Sequence, residues 1–208
     1  MDFKNFISAL FIVYLLSIGA TCKKNCQEIS YTFSSGVVVI PDYDSLVIND
    51  TFWIRANIPT QLIDLNTNSN VNFSNASNLS VVIKAIKFIG GSTSNPGSIE
   101  ANSDFNFKLT EGQVLPNSRL GVIAEIKPYE ESGFYRFSVG IIPKSRGTFA
   151  LGIDDARNVL KNGSNCENAF FGIVFLNTNQ HLYLYQQNRP GYQISDYERT
   201  HMYCFKVY

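Results

Sequence analysis

The histidines are the first candidates for chemistry in this sequence, because imidazole can bind a metal or carry a proton near neutral pH. His181 and His201 are the only two in the chain. They could meet across a helix and a strand and hold a metal ion, with Asp196 or Glu198 as a third ligand. Histidines without a ligand motif are more often ordinary surface residues. We therefore predict no metal site.

The carboxylates do not form a recognisable catalytic pair. Glu130-Glu131 and Asp154-Asp155 are adjacent in the sequence. Adjacent residues on a strand point to opposite faces, whereas a glycosidase needs two facing carboxylates. The G-x-S-x-G, H-E-x-x-H, P-loop and G-x-G-x-x-G motifs are also absent from the sequence. We therefore predict a non-catalytic protein without a cofactor, and an enzyme whose site is assembled from distant residues stays as an alternative.

Aromatic residues offer a better prospect of ligand binding. The single tryptophan, Trp53, lies in a strand-like segment in which Arg55 shares its face and the two adjacent residues take the other face. Trp53 therefore faces either a second sheet or the solvent, and a solvent-facing tryptophan beside an arginine would mark a recognition surface. Tyr192 and Tyr197 fall in a predicted loop, where exposed rings could stack on sugars. These four residues are the candidate ligand-binding residues.

Four cysteines determine the redox chemistry of the chain: Cys22, Cys26, Cys166 and Cys204. Four cysteines allow three pairings, whereas acylation of Cys22 would leave one disulfide and one spare thiol. We predict a Cys166–Cys204 disulfide, because Cys204 lies in a terminal strand pattern and Cys166 in a polar loop that is free to approach it. Closing that loop of about 40 residues would contribute roughly 4 kcal/mol in the chain-entropy model.

The N-terminus has the pattern of an export signal. Asp2 and Lys4 form a short polar start, and residues 6–20 (FISALFIVYLLSIGA) are an apolar run that ends in small residues. A permanent membrane span needs about 20 apolar residues, so this run is shorter than a lasting transmembrane helix. Cleavage after Ala20 would release a secreted protein.

The end of the apolar run, Gly19-Ala20-Thr21-Cys22, resembles the lipobox of bacterial cell-envelope lipoproteins. The resemblance covers only the N-terminal signal, and Gly19 and Thr21 stand where the family favours leucine and a smaller residue. It implies that Cys22 is acylated and becomes the new N-terminus, and Lys23-Lys24-Asn25 resembles the tether of such proteins. Two or three acyl chains, at ~0.8 kcal/mol per buried methylene, would anchor a domain stably.

The charge composition of the chain argues against some classes of binding partner. The 17 basic and 17 acidic residues give a formal charge of zero, so no overall field attracts nucleic acid or an anionic membrane. We predict no nucleic-acid partner. The expected partners are the membrane, through the lipid on Cys22, and an envelope protein or glycan.

Apolar and polar residues alternate along much of the mature chain, as half-buried strands require. The alternating segments are 104–110, 120–127, 135–141, 149–153 and 203–207, and the nearly unbroken apolar runs are 37–40 and 170–176. Short turn sequences separate these segments, so we predict an all-β fold, an antiparallel β-sandwich of roughly 8–10 strands. One or two short connector helices are expected at 154–161 and 179–187, and a β-bulge is expected near Ala85.

The predicted organisation is a signal peptide at residues 1–21, a tether at 22–30 and a single β-sandwich domain at 31–208. We predict an exported envelope protein, anchored to a membrane and facing the periplasm or the cell exterior, that acts as an interaction or structural module. The alternative is a secreted β-sandwich that binds a carbohydrate or another ligand.

Overall fold

The computed structural model describes residues 27–90, 97–116, 121–164 and 166–208. In these ranges two β-sheets pack face to face, and the two α-helices are short. The predicted all-β, sandwich-like fold is confirmed. The strands are β1 (Ile29–Ile40), β2 (Ser45–Leu46), β3 (Phe52–Pro59), β4 (Gln61–Asp64), β5 (Ser69–Asn72), β6 (Val81–Phe88), β7 (Ser98–Glu100), β8 (Phe105–Glu111), β9 (Gln113–Val114), β10 (Ala124–Lys127), β11 (Tyr129–Glu131), β12 (Phe134–Pro143), β13 (Gly147–Asp154), β14 (Ala156–Leu160), β15 (Glu167–Phe175) and β16 (Met202–Val207). The helices are α1 (Leu182–Asn188) and α2 (Asp196–His201), and a 3-10 turn spans Asn102–Asp104.

The described ranges contain 16 strands, more than the predicted 8–10, because several strands are very short. The first sheet runs β11-β12-β3-β1-β15-β14, with β8 also paired to β12, and the second runs β2-β16-β13-β6-β10-β9, with β7 paired to β6. A separate hairpin joins β4 and β5. Several of these strands have only two to four residues, too few for alternation to register in the sequence.

The pairing is not antiparallel throughout. β1 pairs with β15 and β2 pairs with β16 in parallel, whereas the other pairs are antiparallel. Both parallel pairs join segments that are far apart in the chain, so neither is formed by a hairpin. The prediction of a wholly antiparallel sandwich is therefore corrected in this respect.

The core between the sheets is rich in phenylalanine. Phe33, Phe73 and Phe171 are almost completely buried, and their rings meet edge to face at centroid distances of 5.1 to 5.7 Å. Such pairs add to the free energy of area burial.

A second apolar layer lies on the outer side of the second sheet. The residues that form it are Phe88, Ala150, Leu184, Tyr185, Ile194 and Cys204. The last part of β6 therefore carries apolar residues on its outer side too, at Ile86 and Phe88, so its apolar residues do not simply alternate. The pairing of β6 with β13 is continuous from Val82 to Phe88, so the predicted bulge near Ala85 is wrong.

The helices differ in part from expectation. The predicted helix at 154–161 is wrong, because Ala156–Leu160 forms β14 and pairs with β15, with a register shift between Ala156 and Val159. The predicted helix at 179–187 is confirmed as α1. The sequence analysis missed α2, although Ser195 and Glu198 form a capping box at its start. None of the helices in the described ranges is long and apolar enough to cross a bilayer.

The predicted Cys166–Cys204 disulfide is wrong. Cys204 is a free thiol and is fully buried in the apolar layer beneath the helices. Burial raises the pKa of this thiol to about 12, which keeps it protonated and inert. Cys166 is disulfide-bonded, so its partner is a cysteine other than Cys204.

Tyr135 fastens the segment after β5 to the core. Its hydroxyl donates to the carbonyl of Phe73 and accepts from the backbone N–H of Ala76 at 3.0 Å. Burial is the main cause that raises the pKa of Tyr135 above its ordinary value, so the hydroxyl remains a donor.

Replacing Tyr135 by phenylalanine is expected to lower the free energy of unfolding by about 1–3 kcal/mol, because the buried Phe73 carbonyl and the partly buried Ala76 N–H lose their partner. Urea unfolding measures this change. The control is Tyr129→Phe, since Tyr129 is 53% exposed. An equal loss in the two variants would contradict the assigned role of the Tyr135 hydroxyl.

Candidate functional site

The candidate site lies on the outer face of the first sheet. Along β3, the buried residues Phe52, Ile54 and Ala56 face the core. Trp53 and Arg55 therefore lie together on the outer face. The sequence left open whether Trp53 faces a second sheet or the solvent, and the structure places it on the solvent side, partly exposed.

A groove opens where three strands meet. β8 and β11 both pair with the same edge of β12, and the β8 register shifts between Ser138 and Val139. Glu111 lies opposite Ser138, and Leu109 lies opposite Val139, so Thr110 has no opposite residue. The resulting cavity has a volume of about 670 Å³. We call it the β3–β12 groove, and its polar lining residues are Arg55, Asn57, Thr110, Glu111, Arg136 and Ser138.

Pairing between β3 and β12 sets the positions of the polar groups. Ser138 lies opposite Arg55, and Arg136 lies opposite Asn57. In antiparallel strands, opposite residues share a face and lie side by side. The groove therefore places two guanidinium groups next to an amide and a hydroxyl.

Of the two arginines in the groove, Arg55 is the one without a polar partner among the described residues. Its side chain is exposed, and it forms no ion pair or hydrogen bond with any residue that the structure describes. Its guanidinium carbon lies 5.9 Å from the centre of the Trp53 ring. A guanidinium held against an aromatic face can still donate two parallel hydrogen bonds to a carboxylate.

Arg136 is held more firmly. Its Nε donates to Oδ1 of Asn57 at 3.0 Å, and its Nη1 lies 3.6 Å from Oε2 of Glu131. Its guanidinium carbon also lies 5.3 Å from the centre of the Phe134 ring. These contacts occupy the Asn57 oxygen, so the Asn57 amide nitrogen remains as a donor beside Arg55.

Trp53 is accommodated by a glycine on the neighbouring strand. A Cβ atom at Gly140 would lie 3.2 Å from Cζ3 of Trp53 and 2.8 Å from Cγ2 of Thr51. The missing side chain therefore lets the indole ring lie close to β12.

The two tyrosine candidates lie elsewhere. Tyr192 belongs to the helical layer, where its hydroxyl donates to Glu198 at 3.2 and 3.3 Å and its ring contacts Tyr185 at a centroid distance of 5.6 Å. Tyr197 lies in α2 rather than in a loop, and its ring stacks on His201 at 3.8 Å. Neither residue lines the β3–β12 groove.

Tyr197 borders a second cavity, of about 480 Å³. Burial, followed by the charges of Asp155 and Asp154, raises the pKa of the Tyr197 phenol. The carboxylates of this cavity already have partners, since Asp154 pairs with Lys84 at 2.6 Å and Asp155 bonds to His201 at 2.9 Å. The second cavity also holds Arg157, whose guanidinium carbon lies 5.8 Å from the centre of the Phe170 ring.

The histidines do not meet. His181 contacts Asp42 at 3.1 Å, and His201 contacts Asp155, so each buried imidazole has a different carboxylate partner. Across the described ranges, no group of three or more histidine, cysteine, aspartate and glutamate side chains could hold a metal ion.

The sequence analysis missed most of the groove. Trp53 and Arg55 could be grouped from their spacing, but Asn57, Arg136 and Ser138 come to them only through the pairing of β3 with β12. A weak signal existed for Arg136 and Ser138, because both occupy outward positions in the alternation of β12. Cys22 lies outside the described residues.

Comparisons with known proteins place the chain in no family. No protein-family model matches it, and no curated protein matches it. One solved structure that it resembles is a conjugative transposon lipoprotein from Bacteroides eggerthii DSM 20697, with 17% identity and a TM-score of 0.26, over 65% of this chain and 92% of that chain. A similarity at this level does not define a shared function.

Proposed function

We propose that this chain is a non-catalytic, exported interaction module of the cell envelope, held on a membrane by a lipid on Cys22, whose β3–β12 groove binds a carboxylate-bearing saccharide. The observation that carries the binding proposal is the unpaired Arg55 guanidinium, which lies against Trp53 in an open groove. The lipobox-like sequence that ends at Cys22 supports the anchor.

The unpaired Arg55 guanidinium, rather than the net charge of the groove, favours an acidic ligand. Two arginines and one glutamate line the groove, and Arg136 already shares its charge with Glu131. Arg55 has no such partner among the described residues. A ligand carboxylate would supply the missing acceptor and form a charge-assisted pair.

The remaining groups favour a saccharide. Trp53 does not line the groove, but it is partly exposed beside Arg55, where an indole ring can pack against the C–H face of a bound sugar. The Asn57 amide and the Ser138 and Thr110 hydroxyls lie within the same lining, where they can bond sugar hydroxyls. An acidic sugar therefore matches more of the groove than a neutral sugar or an isolated anion does.

Binding can be tested with oligogalacturonate and its methyl ester, which share the same rings and differ in charge. The protein is the full chain with Cys22→Ser, and the fluorescence of Trp53, the sole tryptophan, reports binding. We expect oligogalacturonate to change the fluorescence and the ester to bind at least about tenfold more weakly, because a charged hydrogen-bond pair is lost.

Replacing Arg55 by alanine is expected to weaken oligogalacturonate binding by roughly 10- to 100-fold, which is the range for one charge-assisted contact. Arg157→Ala is the matched control, because Arg157 also lies over an aromatic ring, that of Phe170, at 5.8 Å, and does not line the groove. Equal affinity for acid and ester, or an unchanged affinity in Arg55→Ala, would contradict the proposal. Preference for an acidic peptide over oligogalacturonate would also contradict it.

A further inference from the structure

We propose that a disulfide joins Cys26 to Cys166 and fastens the start of the domain to β15. The chain has four cysteines. Cys166 is disulfide-bonded, and Cys204 is a free buried thiol. The partner of Cys166 is therefore Cys22 or Cys26.

The pairing of β1 with β15 favours Cys26. The two strands are parallel, with Ile29 beside Glu167, and the backbone N–H of Ile29 donates to the carbonyl of Cys166 at 2.7 Å. The Asn168 amide also donates to Glu28 at 2.9 Å. These contacts bring the chain to Cys166 immediately before β1.

Sequence distance then separates the two candidates. Cys26 precedes Ile29 by three residues and Cys22 precedes it by seven. A disulfide needs Cα atoms about 4.4–6.8 Å apart, and each extended residue advances the chain by about 3.3–3.6 Å. The shorter separation from Ile29 therefore favours Cys26 over Cys22 as the partner of Cys166.

The bond forms by oxidation of two thiols in the exported protein. The Sγ atoms of Cys26 and Cys166 each lose a proton and together lose two electrons as the Sγ–Sγ bond forms. The electrons and protons pass to an oxidised thiol–disulfide carrier outside the cytoplasm, whose own disulfide becomes two thiols. Such carriers operate in the compartments where disulfides persist.

This disulfide leaves Cys22 as the one cysteine outside the fold with no disulfide partner, which is what acylation requires. The next step rests on the proposed function. If Cys22 carries the lipid, only three residues lie between the anchor and Cys26, a reach of at most about 14 Å. The end of the sandwich that carries Glu28, Ile29 and Cys166 would then lie next to the membrane.

Peptide mapping tests the pairing in the wild-type full chain. The exported protein is unfolded without reductant, alkylated with iodoacetamide and digested with trypsin. Cleavage after Lys23 and Lys24 places Cys22 and Cys26 in different peptides. We expect the Cys26 peptide to be linked to the Cys166 peptide, with the Cys204 peptide only alkylated. A link from Cys166 to Cys22, or alkylated Cys166, would overturn the proposal.

The same map distinguishes this inference from the proposed function. Unacylated Cys22 together with a Cys26–Cys166 link would contradict the lipid anchor and leave the disulfide intact. The Cys26→Ser variant is expected to expose Cys166 to alkylation and lower Tm by roughly 5–15 °C. The Cys204→Ser variant is the control, and it should keep the link. Alkylation of Cys166 in this control as well would contradict the pairing.

Discussion

Replacement of Cys22 by serine is expected to abolish the incorporation of labelled fatty acid into the protein. Serine has no thiol for the acyl-bearing group, so the lipid cannot be attached. Each methylene of a buried acyl chain contributes ~0.8 kcal/mol to membrane binding, and two or three chains hold a protein stably. The formal charge of zero offers no general electrostatic attraction in their place.

Metabolic labelling with a fatty acid, followed by isolation of the protein, measures this effect. The Cys204→Ser variant is the control, because Cys204 is buried in the folded domain and should not affect labelling. Label retained in the Cys22→Ser protein would rule out Cys22 as the site of acylation.

Replacement of Phe171 by alanine is expected to lower the free energy of unfolding by about 3–5 kcal/mol, the usual cost of removing a buried aromatic ring. Phe171 is fully buried, and its ring contacts those of Phe33 and Phe73 at 5.1 and 5.7 Å. The loss would be a large part of a typical net stability of about 5–15 kcal/mol.

Urea unfolding of the Cys22→Ser chain measures the effect of Phe171→Ala. The neighbouring residue supplies the control, because Phe170 points to the other face of β15, is partly exposed and contacts Arg157. Phe170→Ala should cost less than about 1.5 kcal/mol, as expected for a side chain that leaves no core cavity. Similar losses in both variants would mean that Phe171 does not occupy the core as described.

Much of the fold follows from local alternation. The inward positions predicted along β12, namely Tyr135, Phe137, Val139 and Ile141, are all buried. This succeeds because one face of that strand meets the core, so the period of two appears in the sequence itself. The helix predicted over Ala156–Leu160 is wrong because the local pattern does not decide the structure there. The local sequence also suits a short helix, but pairing with β15 makes it a strand.

The cysteine prediction failed for a reason that the sequence already contained. The apolar positions of the alternating segment 203–207 are Tyr203, Phe205 and Val207, and all three are buried in the core. Cys204 must then point to the opposite face. The helices cover that face, so Cys204 lies in a closed apolar layer rather than beside Cys166.

Only part of the candidate site could be predicted from the sequence. Spacing within β3 brings Trp53 and Arg55 together, because residues two apart share a strand face. The second arginine, Arg136, enters through pairing between strands that lie far apart in the sequence, and the groove depends on β8 and β11 meeting at one edge of β12. Such long-range pairings leave no periodic signal.

The most direct test of the lipid anchor is the intact mass of the mature protein, extracted in detergent from its native host. We expect a chain that begins at Cys22 and exceeds the mass of its polypeptide by two or three acyl chains. An unmodified chain that begins at Thr21 or Cys22 would contradict the membrane-anchored function and indicate a secreted protein.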